Sequence, residues 1–184
     1  GGEGPHSCGQ EPSLEPMTDL GEETRYLEDI EEGTIRCGET EVTADDIVEF
    51  GEQFDPLPIH TDPEAAAESR YDGIIASGYH TLSLSVRLLV DAVRSKRAVV
   101  AGVGIDDVRW HAPVRPGDTI TVETTVLGTR PSESDPSVGV VHERIVAKKR
   151  DGTEVLTLEN HELVERRDPD VDTAAADSAP GPGR

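Results

Sequence analysis

An aspartate and a histidine stand five residues apart, across two prolines, in the segment Phe-Asp-Pro-Leu-Pro-Ile-His-Thr-Asp at residues 54–62. Pro56 and Pro58 fix their own φ angles and disfavour helix in the residues before them, so the segment is predicted to be a stiff, extended loop. Such a loop holds an acid and a base at a fixed separation, as proton transfer requires. Asp55 and His60 are therefore candidates for a catalytic acid–base pair.

Two predicted helices flank this loop. Thr43 and Asp46 form a capping-box pattern, and apolar residues follow at helical spacing as far as Phe54, which predicts a short helix leading into the loop. A longer helix is predicted from about Tyr79 to Arg94, apolar over much of its circumference, which is typical of a helix buried under a sheet. Its apolar stripe consists of Leu82, Val86, Leu89 and Val93, widened by Leu84 and Leu88.

Alternating apolar and polar residues predict antiparallel strands with one covered face after the long helix. These strands span residues 99–110, 119–127, 138–149 and 153–164. Turn sequences separate them at residues 115–118 and at Asp151-Gly152. With a further strand near residues 34–42, the pattern predicts an α+β domain in which the last four strands form a meander.

The composition is strongly acidic, with 38 acidic against 17 basic residues and a formal net charge of −21. Such a surface repels the phosphates of nucleic acid, so we expect no DNA or RNA partner. Only three of the basic residues are lysines. This composition predicts a halophile protein from a salt-rich cytoplasm, where counterions screen the self-repulsion, and the alternative is an ordinary acidic protein.

The ordered domain is predicted to span residues 20–166. Residues 1–19 and 167–184 hold little to bury, which predicts a disordered leader and a disordered acidic tail. Met17, the only methionine, is a candidate for the natural start, and the residues before it would be a leader, a remnant of expression or an upstream extension.

No stretch reaches the roughly 18 apolar residues of a membrane span, and no signal-peptide pattern is found. We therefore expect a soluble, cytoplasmic protein with no membrane partner. Cys8 and Cys37 are too few for a disulfide framework or a zinc site.

Three motifs resemble the MaoC-like dehydratase family, the (R)-specific enoyl-CoA hydratases. They are the run Asp55-x-x-Pro-Ile-His-x-Asp62, the sequence Ala76-Ser-Gly78 at the start of the long helix, and Ala112-Pro-Val-Arg-Pro-Gly-Asp118. The resemblance covers about residues 43–164. One departure is Leu57, which stands where many members carry an asparagine whose amide would form hydrogen bonds in the loop.

The resemblance implies a hot-dog fold, in which an antiparallel sheet wraps around a long central helix and subunits pair as a homodimer or higher homo-oligomer. It implies reversible addition of water to a trans-2-enoyl-CoA, with no cofactor. Asp55 and His60 would hold one water between them. The N–H of Gly78, at a helix entrance, would stabilise the thioester oxygen, and a packing glycine is the alternative for this residue.

The resemblance also implies a substrate-binding surface around these groups. Ser77 and Tyr79 would contact the acyl-CoA. Because the CoA phosphates are anionic and the protein is strongly acidic, we also expect some of its few cations to meet these phosphates, and the alternative is that they only relieve local repulsion. The candidates are Arg109, Arg115, Lys148 and Lys149.

Two other functions remain open, a hot-dog acyl-CoA thioesterase and a non-catalytic acyl-CoA-binding module. The Asp/His pair argues against the module, and its place just before the long helix argues against the thioesterase. A serine hydrolase is disfavoured because Ile75 stands where the first glycine of Gly-x-Ser-x-Gly would be.

A metal site is disfavoured because an extended loop would turn its candidate ligands in different directions. These ligands are Asp55, His60, Asp62 and Glu64. The histidines that lie outside such a proline-stiffened acid–base segment are predicted to be structural, namely His80, His111, His142 and His161.

Overall fold

Five strands, four α-helices and two short 3-10 helices, Leu27–Asp29 and Arg94–Lys96, form over residues 18–168, the part of the chain that this computed structural model describes. In chain order they are β1 (Gly33–Glu41), α1 (Ala44–Phe54), α2 (Pro58–Thr61), α3 (Pro63–Ala67), α4 (Gly78–Ala92), β2 (Val99–Trp110), β3 (Thr119–Pro131), β4 (Val138–Lys149) and β5 (Glu154–Glu165). These elements confirm the predicted α+β class.

The predicted leader and tail fall largely outside the described residues. At the margins, the N–H of Arg36 donates to Thr18 Oγ1 at 3.3 Å, and the Arg167 guanidinium donates to Asp29 at 2.6 Å. The domain therefore reaches slightly beyond residues 20–166 at both ends.

The strands form one antiparallel sheet in the order β1-β3-β4-β5-β2. β3, β4 and β5 are consecutive neighbours, as the meander prediction requires. The prediction is wrong for β2, which pairs with β5 at the far edge instead of with β3. β2 also lacks the predicted covered face, because all of its residues are exposed or only partly buried. Alternation in sequence identifies the covered face of a strand, but it carries no information on which strand lies beside it.

The covered face of the sheet packs against α4. Ile120 and Val122 of β3, Ile145 of β4 and Leu156 of β5 are fully buried or nearly so, together with Leu89 of the helix. Each such side chain contributes about 1.5–3 kcal/mol by leaving water. This packing holds the first turn of α4 in a fixed place relative to the sheet.

The side of α4 that faces the core is smaller and more polar than predicted. Thr81 and Ser85 are buried there, and the Ser85 hydroxyl donates to the carbonyl of Thr81 at 2.7 Å. Small side chains allow a helix backbone to approach a sheet closely. Of the predicted stripe only Leu89 and Val93 are fully buried, and the partly buried members are Leu82, Leu84, Val86 and Leu88.

Two glutamates lie on the covered face of the sheet, where the alternation places apolar residues. Glu143 and Glu162 are 0% and 1% exposed. Arg97 contacts both carboxylates, and Arg94 Nε lies 2.9 Å from Glu162. Burial, with the charge of Glu143 adding to it, raises the pKa of Glu162. Two guanidinium groups match two carboxylates, and this pairing is needed because an uncompensated buried charge costs several kcal/mol.

Cys37 is buried in the same core, where burial raises the pKa of its thiol to about 12. Such a thiol is unreactive at neutral pH. Cys8 lies outside the described residues. None of the helices within residues 18–168 is long and apolar enough to cross a membrane.

Candidate active site

The acid–base segment begins at the end of α1 and continues into a helical turn. α1 starts at the predicted capping box of Thr43 and Asp46, and the N–H of Asp55 donates to Gly51 O at its end. His60 lies in α2, whose first residue is Pro58. The prediction of an extended loop is therefore wrong for residues 58–61, because proline fits the first position of a helix, where no N–H donor is needed.

His60 and Asp55 face each other. His60 Nε2 lies 3.4 Å from Asp55 Oδ2, and His60 Nδ1 lies 2.7 Å from the carbonyl oxygen of Ile75. Since a carbonyl only accepts hydrogen bonds, Nδ1 carries a proton, and Nε2 is the ring nitrogen that faces Asp55. The imidazole is buried and cannot reorient freely.

Gly51 allows α1 and α2 to approach closely enough for this contact. A Cβ at position 51 would lie 3.0 Å from Thr61 Cγ2 and 3.1 Å from His60 Cβ. Any larger residue would push the turn that carries His60 away from the end of α1. The glycine therefore fixes the separation of the acid and the base.

Ser77 orients Asp55 from the N-terminus of α4. Its hydroxyl donates to Asp55 Oδ2 at 2.6 Å and accepts from the N–H of Tyr79 at 3.2 Å, so it caps the helix and holds the carboxylate at once. Ser77 is 1% exposed and does not line the adjoining cavity. The structure thus places it behind Asp55 instead of in the predicted substrate contact.

A cavity of about 500 Å³ opens beside the pair. Among the described residues that line it, Asp55 is the only one with a formally charged side chain. Asp55, His60, Gly78 and Tyr79 of the predicted site all lie on this wall. The other lining residues are mostly apolar or aromatic, namely Ile59, Tyr71, Ile75, Ala76, Thr81, Trp110, His111, Ala112, Pro113 and Val114.

The sequence left open whether Gly78 is a packing glycine or a backbone N–H donor, and the structure is compatible with both. A Cβ at this position would lie 2.7 Å from Cε2 of the Trp110 indole, so the residue is a packing glycine. It is also the first residue of α4, where the N–H has no acceptor within the helix, and it lines the cavity. The two roles are compatible because one concerns the side-chain position and the other the backbone N–H.

The four predicted CoA-binding cations are dispersed. Arg109 pairs with Asp107 at 3.5 Å, Lys148 with Glu123 at 3.1 Å and Lys149 with Asp118 at 2.7 Å. The structure does not bring these three to the cavity lining. Arg115 adjoins the cavity, since its guanidinium donates to the carbonyl of the lining residue Tyr71 at 2.5 Å.

The sequence reasoning missed three lining residues, Tyr71, Trp110 and His111. His111 was predicted to be structural, and its Nε2 does contact Thr157 Oγ1 at 2.8 Å, but it also faces the cavity. A signal was present, because Trp110 and His111 directly precede the motif that starts at Ala112. His80 is buried against Phe50, with ring centroids 4.7 Å apart, as a structural histidine should be.

The candidate metal ligands are used in other ways. Asp62 Oδ1 accepts from the N–H groups of Glu64 and Ala65 and so caps α3. In the part of the chain that the structure describes, no three His, Cys, Asp or Glu side chains are arranged to hold a metal ion.

Comparison with known proteins identifies the fold and the family. A Mycobacterium tuberculosis protein with a double hotdog fold superposes with a TM-score of 0.68 at 16% identity, over 86% of this chain and 47% of that one, and this likeness shows the hot-dog fold alone. The MaoC-like domain family matches residues 28–148, well over half of the chain. The chain belongs to this family.

Two similar proteins have names that refer to a reaction. The MaoC-like dehydratase from Rhodospirillum rubrum superposes with a TM-score of 0.71 at 34% identity, over 78% of this chain and 99% of that protein. Mesaconyl-CoA hydratase of Cereibacter sphaeroides is 38% identical over 81 residues, which are 44% of this chain. The match spans only 22% of that enzyme's own length.

Proposed function

We propose that the protein is an (R)-specific enoyl-CoA hydratase, or 3-hydroxyacyl-CoA dehydratase, that adds water reversibly to a trans-2-enoyl thioester. The observation that carries the proposal is the fixed pair of His60 Nε2 and Asp55 Oδ2, 3.4 Å apart on the wall of a largely apolar cavity. The dehydratase and hydratase names of the two similar proteins support the same class of reaction.

The geometry suits the activation of one water. In its neutral form, with the proton on Nδ1, the His60 ring offers a lone pair at Nε2, and the Asp55 carboxylate is an acceptor beside it. A water that donates one O–H to each acceptor turns its oxygen lone pair toward the substrate. As the oxygen bonds to C3, one member of the pair takes the proton and the C2=C3 electrons move toward the thioester. A proton returned to C2 completes the addition, so no atoms are gained or lost beyond the water.

Gly78 would stabilise the charge that develops during this step. Electron density moves onto the thioester oxygen when the nucleophile adds at C3. The N–H of Gly78 lies at the N-terminus of a helix, where the partial positive charge favours an anionic oxygen. Removal of one such donor costs about 10²–10³-fold in kcat in other enzymes.

The outer edge of the sheet supports assembly as a homodimer. β2 lies at this edge, and its apolar side chains Val100, Val103 and Ile105 are 52%, 55% and 47% exposed. An unpaired, apolar edge strand favours pairing with another chain. Trp110 ends the same strand and lines the cavity, so the acyl-CoA site would lie close to the subunit interface.

The reaction is tested with crotonyl-CoA, whose hydration is monitored through the loss of enoyl-thioester absorbance. Asp55→Asn and His60→Gln should each lower kcat by about 10²-fold or more with the fold intact, as expected of an acid–base residue. His142→Gln, on the opposite face of the sheet, is the matched control and should keep wild-type rates. Retention of more than about a tenth of the activity in either site variant would contradict the proposal.

The same reaction mixture separates the proposed hydratase from its rivals. A thioesterase would release free CoA, which a thiol reagent detects, whereas a hydratase leaves the thioester intact. A binding module would bind butyryl-CoA but leave crotonyl-CoA unchanged. The (R) configuration is tested by offering the 3-hydroxyacyl product to dehydrogenases of opposite stereospecificity.

Arg115 is the remaining candidate for a CoA phosphate contact. A contact made equally in the ground state and the transition state affects KM and leaves kcat unchanged. Arg115→Gln should therefore raise KM for crotonyl-CoA, while Arg87→Gln, at an exposed pair on α4, should not. An unchanged KM in Arg115→Gln would remove this residue from the binding surface.

A further inference from the structure

Trp110 is the single tryptophan of the chain and packs directly on Gly78. Its ring is 48% exposed and lines the cavity at the end of β2. A Cβ on Gly78 would lie within 2.7–3.1 Å of three indole atoms. Contact this close leaves no room for any residue but glycine at the start of α4.

The indole also bonds to the backbone of this turn. Trp110 Nε1–H donates to the carbonyl oxygen of Gly78 at 2.9 Å, and the ring meets Tyr79 edge-on at a centroid distance of 5.9 Å. Ser77 caps the same turn from its buried side. The peptide group between Gly78 and Tyr79 is therefore held from two directions, at its carbonyl by the indole and at its N–H by Ser77. The preceding peptide, which carries the Gly78 N–H, is held at the carbonyl of Ser77 by the N–H of Thr81 at 3.1 Å.

Such a clamp matters for a backbone donor. Glycine is the most flexible residue, and the first turn of a helix lacks the hydrogen bonds that restrain later turns. A donor that stabilises a developing oxyanion must be fixed before the reaction, because reorganisation at that moment costs free energy. The indole bonds to the carbonyl of Gly78 itself, so it restrains the rotation of this residue, whose N–H is the donor to which the requirement applies.

We propose that Trp110 is a positioning residue for the oxyanion site, that it clamps Gly78 through its indole, and that its exposed face closes the cavity mouth over the bound thioester. This inference rests on the proposed hydratase function. It predicts that the fluorescence of the ring changes when a thioester binds, and that loss of the indole N–H lowers kcat more than it raises KM.

Kinetics test the positioning role. Trp110→Phe keeps an aromatic ring and removes the Nε1–H donor, and kcat should fall about 3- to 10-fold with KM within about twofold, as expected when one hydrogen bond aligns a transition-state contact. Leu127→Ala, at an exposed apolar side chain on β3, is the control and should match the wild type. Wild-type kcat in a folded Trp110→Phe variant would overturn the role, as would a rise in KM alone.

A double-mutant cycle tests the clamp without reference to activity. Gly78→Ala should lower the melting temperature strongly in the wild-type background and only slightly beside Trp110→Ala, where the obstructing ring is gone. Additive losses of melting temperature in the double variant would overturn the clamp.

Fluorescence separates this inference from the proposed function. Because the chain has one tryptophan, its emission reports Trp110 alone. Titration with butyryl-CoA, a saturated thioester that cannot be hydrated, should change the emission saturably. If the wild type hydrates no enoyl thioester, the proposed function fails, and a saturable change still supports the place of Trp110 over a thioester site. Unchanged emission under conditions where dialysis shows binding would overturn it.

Discussion

Substitution of Ser77 by alanine tests how the acid–base pair is held. The hydroxyl makes two contacts, the donation to Asp55 Oδ2 at 2.6 Å and the cap on the N–H of Tyr79 at 3.2 Å. Loss of an N-cap costs about 1 kcal/mol, and loss of a hydrogen bond to a charged group costs about 1.5–3 kcal/mol. Asp55 is partly exposed, so water compensates for part of the second loss.

We therefore expect Ser77→Ala to lower the free energy of unfolding by about 2–3 kcal/mol. Activity should fall as well, because the carboxylate loses the contact that orients it toward His60. If the oriented carboxylate stabilises the transition state by about 1.4–2.8 kcal/mol more than a free one, its loss lowers kcat about 10- to 100-fold. Urea unfolding and crotonyl-CoA hydration measure the two effects on the same preparation.

Ser83→Ala is the matched control on the same helix. Its hydroxyl donates to the carbonyl of Tyr79 at 2.8 Å, but the residue is exposed and distant from the pair, so both quantities should stay near wild type. Ser77→Thr retains a hydroxyl and should recover part of the loss. The reasoning is refuted if Ser77→Ala is as stable as Ser83→Ala, or if its kcat stays within about threefold of the wild type, which would correspond to less than about 1 kcal/mol.

If the exposed strand β2 forms the dimer interface, Val103→Lys should be a monomer in light scattering at micromolar concentration. The control Leu127→Lys, on β3, should stay dimeric, and a monomeric wild type would refute the dimer. Burial lowers the pKa of His80, so the unfolded chain binds a proton at this residue more readily than the folded chain. The free energy of unfolding should therefore fall as the pH drops below about 6.5. His80→Phe should flatten this pH dependence, measured by urea unfolding, and an equal slope in both proteins would contradict its assignment to His80. Arg97→Met leaves two buried carboxylates with one guanidinium and should cost about 3–5 kcal/mol, whereas Arg87→Met at an exposed pair should be close to neutral, and equal losses would show that burial is not the cause. Molar KCl, which shortens the Debye length to about 3 Å, should raise the melting temperature, and a melting temperature indifferent to salt would count against the salt-adapted interpretation.

The sequence by itself determined the five strands, α1, α4 and the chemical candidates, but not α2 or α3. The strand predicted at residues 99–110 has the bounds of β2, and the capping box at Thr43 marks the start of α1. Asp55 and His60 were found because their spacing and the prolines between them are local features. These signals depend on neighbours within a few residues, so they can be read without knowledge of the fold.

Only the tertiary structure decided how the site is assembled. The bond from Ser77 to Asp55 joins residues 22 apart, and the bond from Trp110 to Gly78 joins residues 32 apart. β2 lies beside β5, at the opposite end of the meander from the position expected beside β3. The alternation of β4 gave no sign that Glu143 would be buried with a guanidinium partner from beyond α4. Contacts of this kind depend on which surfaces meet when the sheet packs on the helix, and the packing of the whole core determines those surfaces. Local sequence patterns depend only on nearby residues, so they carry no information on these contacts.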